Sequence, residues 1–219
     1  MRIASFDIGK KNFAFCVEEF SPENVRNAIL PRLKERFTDN GIPTEKMQEC
    51  IDIVCSLGFI IEYQNLDLTE NCDKRKKLDP ETFHNLTETL EKYNELWDSC
   101  DIFVIEQQMS FGKAINNMAL KLAQHCYSYF QIRYRKDKEI VDFPAYHKTQ
   151  LLGAPKIRKK AMAKPQRKKW SVEKALEILF DREENQMTDK IESVVKKDDL
   201  ADTFLQLQAY KILCFTTAI

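Results

Sequence analysis

Residues 3–15, IASFDIGKKNFAF, hold a single carboxylate, Asp7, inside an otherwise apolar segment. The apolar run over residues 2–8 is continuous rather than alternating, which predicts a strand buried on both faces. Residues 9–12 predict a turn, since Gly and Asn tolerate unusual backbone angles, and residues 13–17 predict the second strand of a hairpin. A lone strand-end aspartate usually faces water. Asp7 has a functional role only if other acidic side chains lie close to it in the fold.

The composition predicts a globular protein with an uneven distribution of charge. The chain has 219 residues, 43% of them hydrophobic, and a net charge of zero. Residues 133–169 contain thirteen Lys or Arg and three acids, a local charge of +10. Such a segment is typical of proteins that bind polyanions, although a solvated loop has the same composition.

Cysteine spacing and apolar content restrict the protein's location. The seven cysteines form no zinc-binding pattern, and scattered thiols are typical of an intracellular protein. Met1 and Arg2 lead straight into the first strand, which leaves no room for a signal peptide. No apolar stretch is long enough to span a membrane, so we expect no membrane partner.

The pattern along the chain predicts strands first and then strands separated by helices. The predicted strands are 2–8, 13–17, 58–69, 101–108 and 139–145. The predicted helices are 23–30, 45–56, 79–98, 112–130, one capped by Ser171, and 197–214. The basic stretch 148–169 shows no periodicity and is predicted to be a loop. This order favours an α/β fold with a mixed sheet and helices on its faces.

Acids accompany apolar elements at three places. Asp7 lies in the first strand, Glu106 ends the strand IFVIE, and Asp198, Asp199 and Asp202 begin the last helix. Residues three apart share a helix face, so Asp199 and Asp202 point the same way, whereas Asp198 points elsewhere. Helix-dipole and solvent-facing roles would explain each acid singly. Together they predict a site for Mg²⁺ or Mn²⁺, because clustered carboxylates repel each other unless cations neutralise them.

Three motifs then give the sequence a family resemblance. FDIGKKNFAF (6–15), VIEQQ (104–108) and RKKWSVEKALEIL with KKDDLADTFLQL (167–179 and 196–207) resemble, in order and spacing, the RuvC-like Holliday junction resolvases. The resemblance is strongest to the branch of poxviruses and other large DNA viruses, with its fungal mitochondrial relatives. It covers nearly the whole chain apart from about 20–57, which resembles an insertion.

The resemblance implies a single RNase H-like domain, residues 1–219, with a mixed five-stranded sheet flanked by helices. It implies that Asp7, Glu106, Asp199 and Asp202 bind two Mg²⁺ ions, with Mn²⁺ as a substitute, and catalyse phosphodiester hydrolysis. It also implies a homodimer, because a four-way DNA junction offers two symmetric strands to cut. Such a protein would act in viral recombination and concatemer processing at the replication site, with mitochondria as the alternative location.

Ten residues are predicted to contact the DNA, mostly from the basic segment. They are Lys10, Lys11, Phe111, Lys148, Arg158, Lys159, Lys160, Arg167, Lys168 and Lys169. Phe111 is the candidate for wedging at the junction, and helix 112–130 is the candidate dimer contact. His147 and Lys148 are candidates for contact with the scissile phosphate, or are simply a surface pair.

Three alternatives remain open from the sequence. The first is another RNase H-like nuclease or a transposase-like enzyme. The second is a catalytically inactive junction-binding protein. An actin-like sugar kinase is the third, since DIGxxN is similar to a phosphate loop of that superfold. With only five glycines, the chain lacks the further phosphate loops that a kinase needs.

Overall fold

The computed structural model describes residues 1–73, 75, 79–108, 116–157, 159–194 and 196–218. The strands are β1 (Arg2–Ile8), β2 (Phe13–Glu19), β3 (Ile29–Leu30), β4 (Phe59–Leu66), β5 (Ile102–Gln107), β6 (Glu139–Pro144) and β7 (Thr217–Ala218). The helices are α1 (Pro22–Arg26), α2 (Glu45–Ser56), α3 (Pro80–Lys92), α4 (Asn94–Ser99), α5 (Asn117–Tyr134), α6 (Tyr146–Leu151), α7 (Lys164–Asp181), α8 (Asn185–Ser193) and α9 (Lys197–Phe215). A 3₁₀ turn covers Leu33–Glu35.

Five strands form one mixed sheet in the order β4-β2-β1-β5-β6. Strand β2 pairs antiparallel with β1 and β4, whereas β1, β5 and β6 run parallel. The predicted mixed five-stranded α/β fold is therefore confirmed. Because Phe6 pairs with Ile105, the next residues, Asp7 and Glu106, reach the same edge of the sheet.

Alternation along β1 decides which helices Asp7 faces. Ala4, Phe6 and Ile8 pack into the core beneath α3, α4 and α5, around Trp97. Ile3 packs on the opposite face, in the core formed with α2, α7 and α9. Since side chains alternate along a strand, Asp7 lies on the face of Ile3, toward α9.

Helix α9 is the central helix of that face. Every residue from Leu200 to Ile212 is buried except Asp202, and the helix packs against β1, β2, α2, α6 and α7. A helix that is apolar nearly all round must be enclosed by other elements. Its first turns, with Asp199 and Asp202, are thereby fixed beside the edge where β1 and β5 end.

The helix predicted over 79–98 is two helices in the structure. The break falls at Tyr93, whose φ of −105° and ψ of 20° are not helical. Trp97 still reaches the core, and its indole Nε1 donates to the Leu90 carbonyl at 2.8 Å. The apolar spacing therefore predicts the buried face correctly but does not detect the break.

The prediction of a loop over 148–169 is wrong at both ends. Lys148 lies within α6, and α7 begins at Lys164, so Ser171 is a buried residue inside that helix and not its cap. Pro165 lies in the first turn, and the Ala163 N–H donates to the side chain of Gln166 at 3.3 Å. The exposed first turns of α7 need no apolar stripe, which is why periodicity does not reveal them.

The basic segment 133–169 does not form one surface. Arg133 pairs with Asp98 at 3.2 Å, and Lys138 donates to the carbonyls of Trp97, Asp98 and Cys100. These residues precede β6 and lie at the end of the sheet opposite Glu106. Lys148 and Lys168, later in the segment, pair instead with acids of β5 and α9.

A buried carboxylate, Glu18 on β2, joins the sheet to the helices. Its oxygens accept hydrogen bonds from Arg182 at 2.6 Å, Lys211 at 2.8 Å and Gln208 at 3.0 Å. Burial alone would raise the pKa of Glu18, but Lys211 and Arg182 hold it below its ordinary value. The ammonium of Lys211 also donates to the carbonyl of Leu57, at the end of α2.

Replacing Glu18 with Gln is expected to lower the free energy of unfolding by about 3–5 kcal/mol, because two buried cations lose their counter-ion. Its stabilisation is fully present above the ordinary glutamate pKa of 4.5 and is lost as the pH falls through the lower folded value. Urea unfolding between pH 3 and pH 7 measures both effects. Glu19→Gln, in the more exposed pair with Arg2, is the control and should cost at most about 1 kcal/mol. Equal losses in the two variants would contradict this account.

Candidate active site

Carboxylates from three elements meet where β1 and β5 end and α9 begins. Glu106 and Asp202 are bridged by the ammonium of Lys148, at 3.0 Å from Glu106 Oε2 and 3.3 Å from Asp202 Oδ2. Asp7 is close enough to interact electrostatically with Glu106, Lys148, Asp202 and Asp199. The structure thus brings Asp7, Glu106 and Asp202 together around Lys148, and Asp199 lies near enough to act on Asp7 electrostatically.

Lys148 lies inside this acidic cluster. It is placed by the short helix α6, and its side chain is only 5% exposed. Burial would lower the pKa of its amine, but Asp202, Glu106 and Asp7 outweigh burial and raise it. Lys148 therefore stays an ammonium ion and supplies the positive charge that the buried carboxylates require.

One lysine does not neutralise the cluster. Burial and the neighbouring charge of Glu106 raise the pKa of Asp7 well above its ordinary value, and Lys148 opposes the shift only in part. Ionisation of Asp7 therefore carries a free-energy cost, which a further cation would remove.

Asp199 and Asp198 point to different surroundings. Burial and the adjacent Asp198 raise the pKa of Asp199, and the side chain of Asn65 on β4 opposes this shift. Asp198 forms an ion pair with Lys168 of α7. The rotation expected between the two residues is present, and it gives Asp198 a partner outside the acidic cluster.

Gln206, one helical turn after Asp202 on the same face of α9, lies beneath the acids and was not among the predicted site residues. Its Nε2 donates to Ser5 Oγ and to the Val104 carbonyl, both at 3.0 Å. Ser5 and Val104 each lie two residues before an acid of the cluster. The amide therefore fixes α9 against the strands that carry Asp7 and Glu106. An amide one turn after Asp202, on the same face of the helix, is the sequence signal for such a contact.

The chemistry of the side chains indicates whether these acids can bind a metal ion. Within the residues that the structure describes, no three His, Cys, Asp or Glu side chains are arranged as a ready metal site. The acids provide the hard carboxylate oxygens that Mg²⁺ and Mn²⁺ prefer. The bound ammonium of Lys148 and the raised pKa of Asp7 both indicate a site that favours positive charge. These residues fit a divalent cation.

Of the predicted DNA-binding residues, Lys148 and Lys168 contact acids of this region. Lys10 and Lys11 lie in the β1–β2 turn directly after Asp7. Four basic residues are exposed along the loop before α7 and its first turns, namely Lys159, Lys160, Arg167 and Lys169. Lys168 is half-buried against Asp198. Phe111 and Arg158 lie outside the described residues.

His147 is turned toward aromatic rings. Its ring centroid lies 5.2 Å from that of Phe143 and 4.3 Å from that of Tyr146, and burial lowers the pKa of the imidazole. Tyr146 is 54% exposed beside the site and was not predicted. An exposed aromatic in a short polar helix gives little signal in a sequence.

The arrangement of the whole chain is that of known resolvases. A fowlpox virus resolvase, solved in complex with a Holliday junction DNA substrate, matches 98% of this chain and 99% of its own, with a TM-score of 0.57 and 16% identity. The yeast mitochondrial Holliday junction resolvase matches 96% of this chain and 77% of its own, with a TM-score of 0.55 and 15% identity. The RuvC of Thermus thermophilus matches 98% of both chains at a TM-score of 0.53 and 10% identity. The fold is therefore that of the RuvC-like Holliday junction resolvases, as the motifs indicate.

Closer relatives occur in iridescent viruses. Uncharacterized protein 170L of Invertebrate iridescent virus 6 is 36% identical, over 96% of this chain and 89% of that protein. Uncharacterized protein 97L of Invertebrate iridescent virus 3 is also 36% identical, over 95% and 98%. The chain belongs to the family of these two viral proteins. No protein-family model matches the sequence. Over the described ranges, no helix is both long and apolar enough to cross a membrane.

Asp7→Asn is expected to stabilise the protein when chelator keeps it free of metal, because it removes a charge that burial and Glu106 disfavour. Each pKa unit of the shift corresponds to about 1.4 kcal/mol, and each kcal/mol should raise the thermal midpoint by about 2–4 °C. Asp189→Asn, at an exposed position of α8, is the matched control and should change stability by less than about 0.5 kcal/mol. A lower midpoint for Asp7→Asn would show that its carboxylate is a stabilising partner of Lys148.

Proposed function

We propose that this protein is a metal-dependent endonuclease that resolves four-way DNA junctions by paired phosphodiester hydrolysis. The observation that supports the proposal most strongly is the meeting of Asp7, Glu106 and Asp202 around Lys148 on a resolvase fold. The relatives are viral proteins, which supports a role in viral recombination and in processing replication concatemers.

In this proposal, Asp7, Glu106, Asp199 and Asp202 hold two Mg²⁺ ions, for which Mn²⁺ can substitute. When bound, Mg²⁺ lowers the pKa of an attacking water and stabilises the leaving oxygen of a phosphodiester. The strands under Asp7 and Glu106 and the enclosed helix α9 fix the carboxylates. A rigid framework holds ligands in position better than a loop does.

Lys148 has two roles in this mechanism. In the free protein its ammonium neutralises Glu106 and Asp202 and limits the repulsion within the cluster. With a divalent cation held by these acids, Lys148 would be free to donate hydrogen bonds to the scissile phosphate. Such donors stabilise the negative charge that develops on the phosphate oxygens.

Basic residues on both sides of the acids hold the DNA. Lys10 and Lys11 lie next to Asp7, and Lys159, Lys160, Arg167 and Lys169 are exposed along the approach to α7. We include Lys168, Arg158 and Phe111 in this surface from the sequence. Contacts to phosphates supply affinity and orientation but do not distinguish one DNA from another. Selectivity for a junction then depends on the shape of the surface.

The proposal includes a homodimer, because one chain carries one set of acids and a symmetric junction needs two cuts. Helix α5 remains the candidate contact. Its inner face, Ala119, Leu122, Cys126 and Phe130, is buried against the sheet, and Ile132 at its end is 78% exposed. The length of α5 and its Met, Leu and aromatic content exceed what packing on one sheet face requires.

Metal-dependent cutting of a labelled four-way junction, mapped at nucleotide resolution, tests the function. Asp7→Asn should abolish cutting, by at least about a hundredfold, yet bind the junction as the unsubstituted protein does, since it removes a metal ligand and no phosphate contact. Asp198→Asn is the matched control and should cut more slowly at most, because Asp198 pairs with Lys168.

Near-normal cutting by Asp7→Asn would contradict the site. Cutting of linear duplex or of an RNA–DNA hybrid in preference to the junction would favour another RNase H-like nuclease. Binding without cutting in the unsubstituted protein, with Mg²⁺ or Mn²⁺, would identify an inactive junction-binding protein.

Junction affinity should fall steeply with salt, because binding to phosphates releases counterions. Replacing Arg167, Lys168 and Lys169 with Ala should flatten the slope of log K against log salt by up to about 0.9 for each phosphate that the variant no longer binds. Lys136→Ala, at the opposite end of the sheet, is the control and should leave the slope unchanged. Fluorescence anisotropy over a salt series measures the slope, and an unchanged slope in the triple variant would show that these residues do not contact DNA.

A further inference from the structure

A turn in the segment that resembles an insertion lies against the basic loop. The turn spans residues 36–44 and is held by its own hydrogen bonds: Thr38 N–H donates to the Ile42 carbonyl at 2.8 Å, and Thr44 N–H donates to the Arg36 carbonyl at 2.9 Å. We call residues 153–160 the basic loop, of which Arg158 is not described. The two segments are distant in sequence, and Asp39 and Lys159 are 120 positions apart.

Direct bonds join the turn to the loop. The backbone N–H of Lys156 donates to the carbonyl of Asn40 at 2.6 Å. The ammonium of Lys159 pairs with Asp39 at 3.0 Å, although both side chains are largely exposed. An exposed ion pair adds little stability, so the backbone hydrogen bond is the stronger of the two links.

Two glycines let the backbones approach this closely. Gly153 has a φ of +80°, and a Cβ at this position would overlap Cγ of Pro43. Gly41 has a φ of +77°, and a Cβ there would lie 2.9 Å from the carbonyl oxygen of Ala154. Each segment therefore carries a glycine where the other segment leaves no room for a side chain.

The turn is itself fixed to the helix that packs on α9, which carries two of the acids. Thr44 caps α2, and Met47, Ile51 and Val54 of that helix are buried in the core shared with α9. A continuous path of packed elements, formed by α9, α2 and the 36–44 turn, therefore joins the basic loop to the helix that carries two of the acids.

The surface formed by the 36–44 turn and the basic loop is basic and also carries two exposed apolar side chains. Lys156, Lys159 and Lys160 are exposed, and residues 153–169 contain no acid. Ile42 and Ile157 are 54% and 46% exposed, one in each segment. Cations beside exposed apolar side chains suit DNA whose bases are partly unstacked, as at a branch point.

We propose that the 36–44 turn is a positioning element that gives the basic loop its selectivity for branched over linear DNA. This inference rests on the proposed function. Affinity for any duplex needs only the loop's charge, whereas choice of a junction needs that charge at a fixed place relative to the acids. Loosening the turn from the loop should therefore leave duplex affinity unchanged and lower junction affinity.

The sharpest test compares Lys156→Pro with Lys156→Ala. Both variants remove the same charge, but only proline also removes the N–H that binds the Asn40 carbonyl. Competition binding with a four-way junction and a duplex of equal length gives the ratio of the two affinities. We expect the ratio to fall for Lys156→Pro relative to Lys156→Ala by about 2- to 10-fold, as the removal of one hydrogen bond predicts.

A second pair of variants changes no charge at all. Gly153→Ala places a methyl group against Pro43 and should lower the junction-to-duplex ratio without changing duplex affinity. Gly153→Ala combined with Pro43→Ala removes the atom that the methyl group meets and should recover part of the ratio. Ratios equal to that of the unsubstituted protein in Gly153→Ala, together with equal ratios in the two Lys156 variants, would overturn the inference.

Amide hydrogen exchange on the unsubstituted protein tests the contact without any variant. The N–H of Lys156 should exchange as slowly as the amides of α2, and exchange at the rate of an open loop would overturn the inference. If the unsubstituted protein neither binds nor cuts a junction, the proposed function fails before any variant is compared. If it does both and the variants keep their selectivity, only the role of the turn fails.

Discussion

Repulsion among the acids at one edge of the sheet is the constraint on which the rest of the molecule depends. Asp7, Glu106, Asp199 and Asp202 lie near each other in a partly desolvated place, where like charges disfavour ionisation. Lys148 relieves the repulsion between Glu106 and Asp202 and leaves Asp7 short of positive charge. A fold can keep such an arrangement only if other interactions hold its strands and helices in place.

Those interactions lie behind the site. Gln206 ties α9 to the carbonyl of Val104 and the hydroxyl of Ser5, directly beneath the acids. Farther along α9, Lys211 and Gln208 bind Glu18, which also binds Arg182 at the end of α7. Helix α9 is thus fixed to the sheet by polar contacts at two levels, with a buried apolar surface between them. The first turns of α9 carry the acids that repel each other. The rest of the helix is stabilised by these contacts and holds the first turns in position.

The segment between β2 and β4 connects the central helix α9 to the surface of the protein. Its helix α2 packs on α9 and receives a contact from Lys211 through the carbonyl of Leu57. Its turn meets the basic loop through Asn40 and Lys156. The central helix, its acids and the loop are therefore joined through packed elements, which holds the exposed cations of the loop in a fixed relation to that helix. Under the proposed function, that relation matters more for choosing a branched DNA than the number of cations.

The sequence by itself determined the sheet and the acids. The continuous apolar run around Asp7 and the strand ending at Glu106 are local signals, and the spacing of Asp199 and Asp202 follows from the helical repeat. These features depend on neighbours in the chain, and the structure places them as predicted.

The tertiary structure decided the rest. The sequence offers Lys148 only as a candidate phosphate contact, and the fold, through α6, brings it between Glu106 and Asp202. Arg133 and Lys138 belong to the same basic segment, but the parallel strands carry them to the opposite end of the sheet. The helical start of α7 and the contact between Asn40 and Lys156 were also invisible, because solvent-facing basic residues show no period, and because contacts between segments far apart in sequence arise only when the chain has folded.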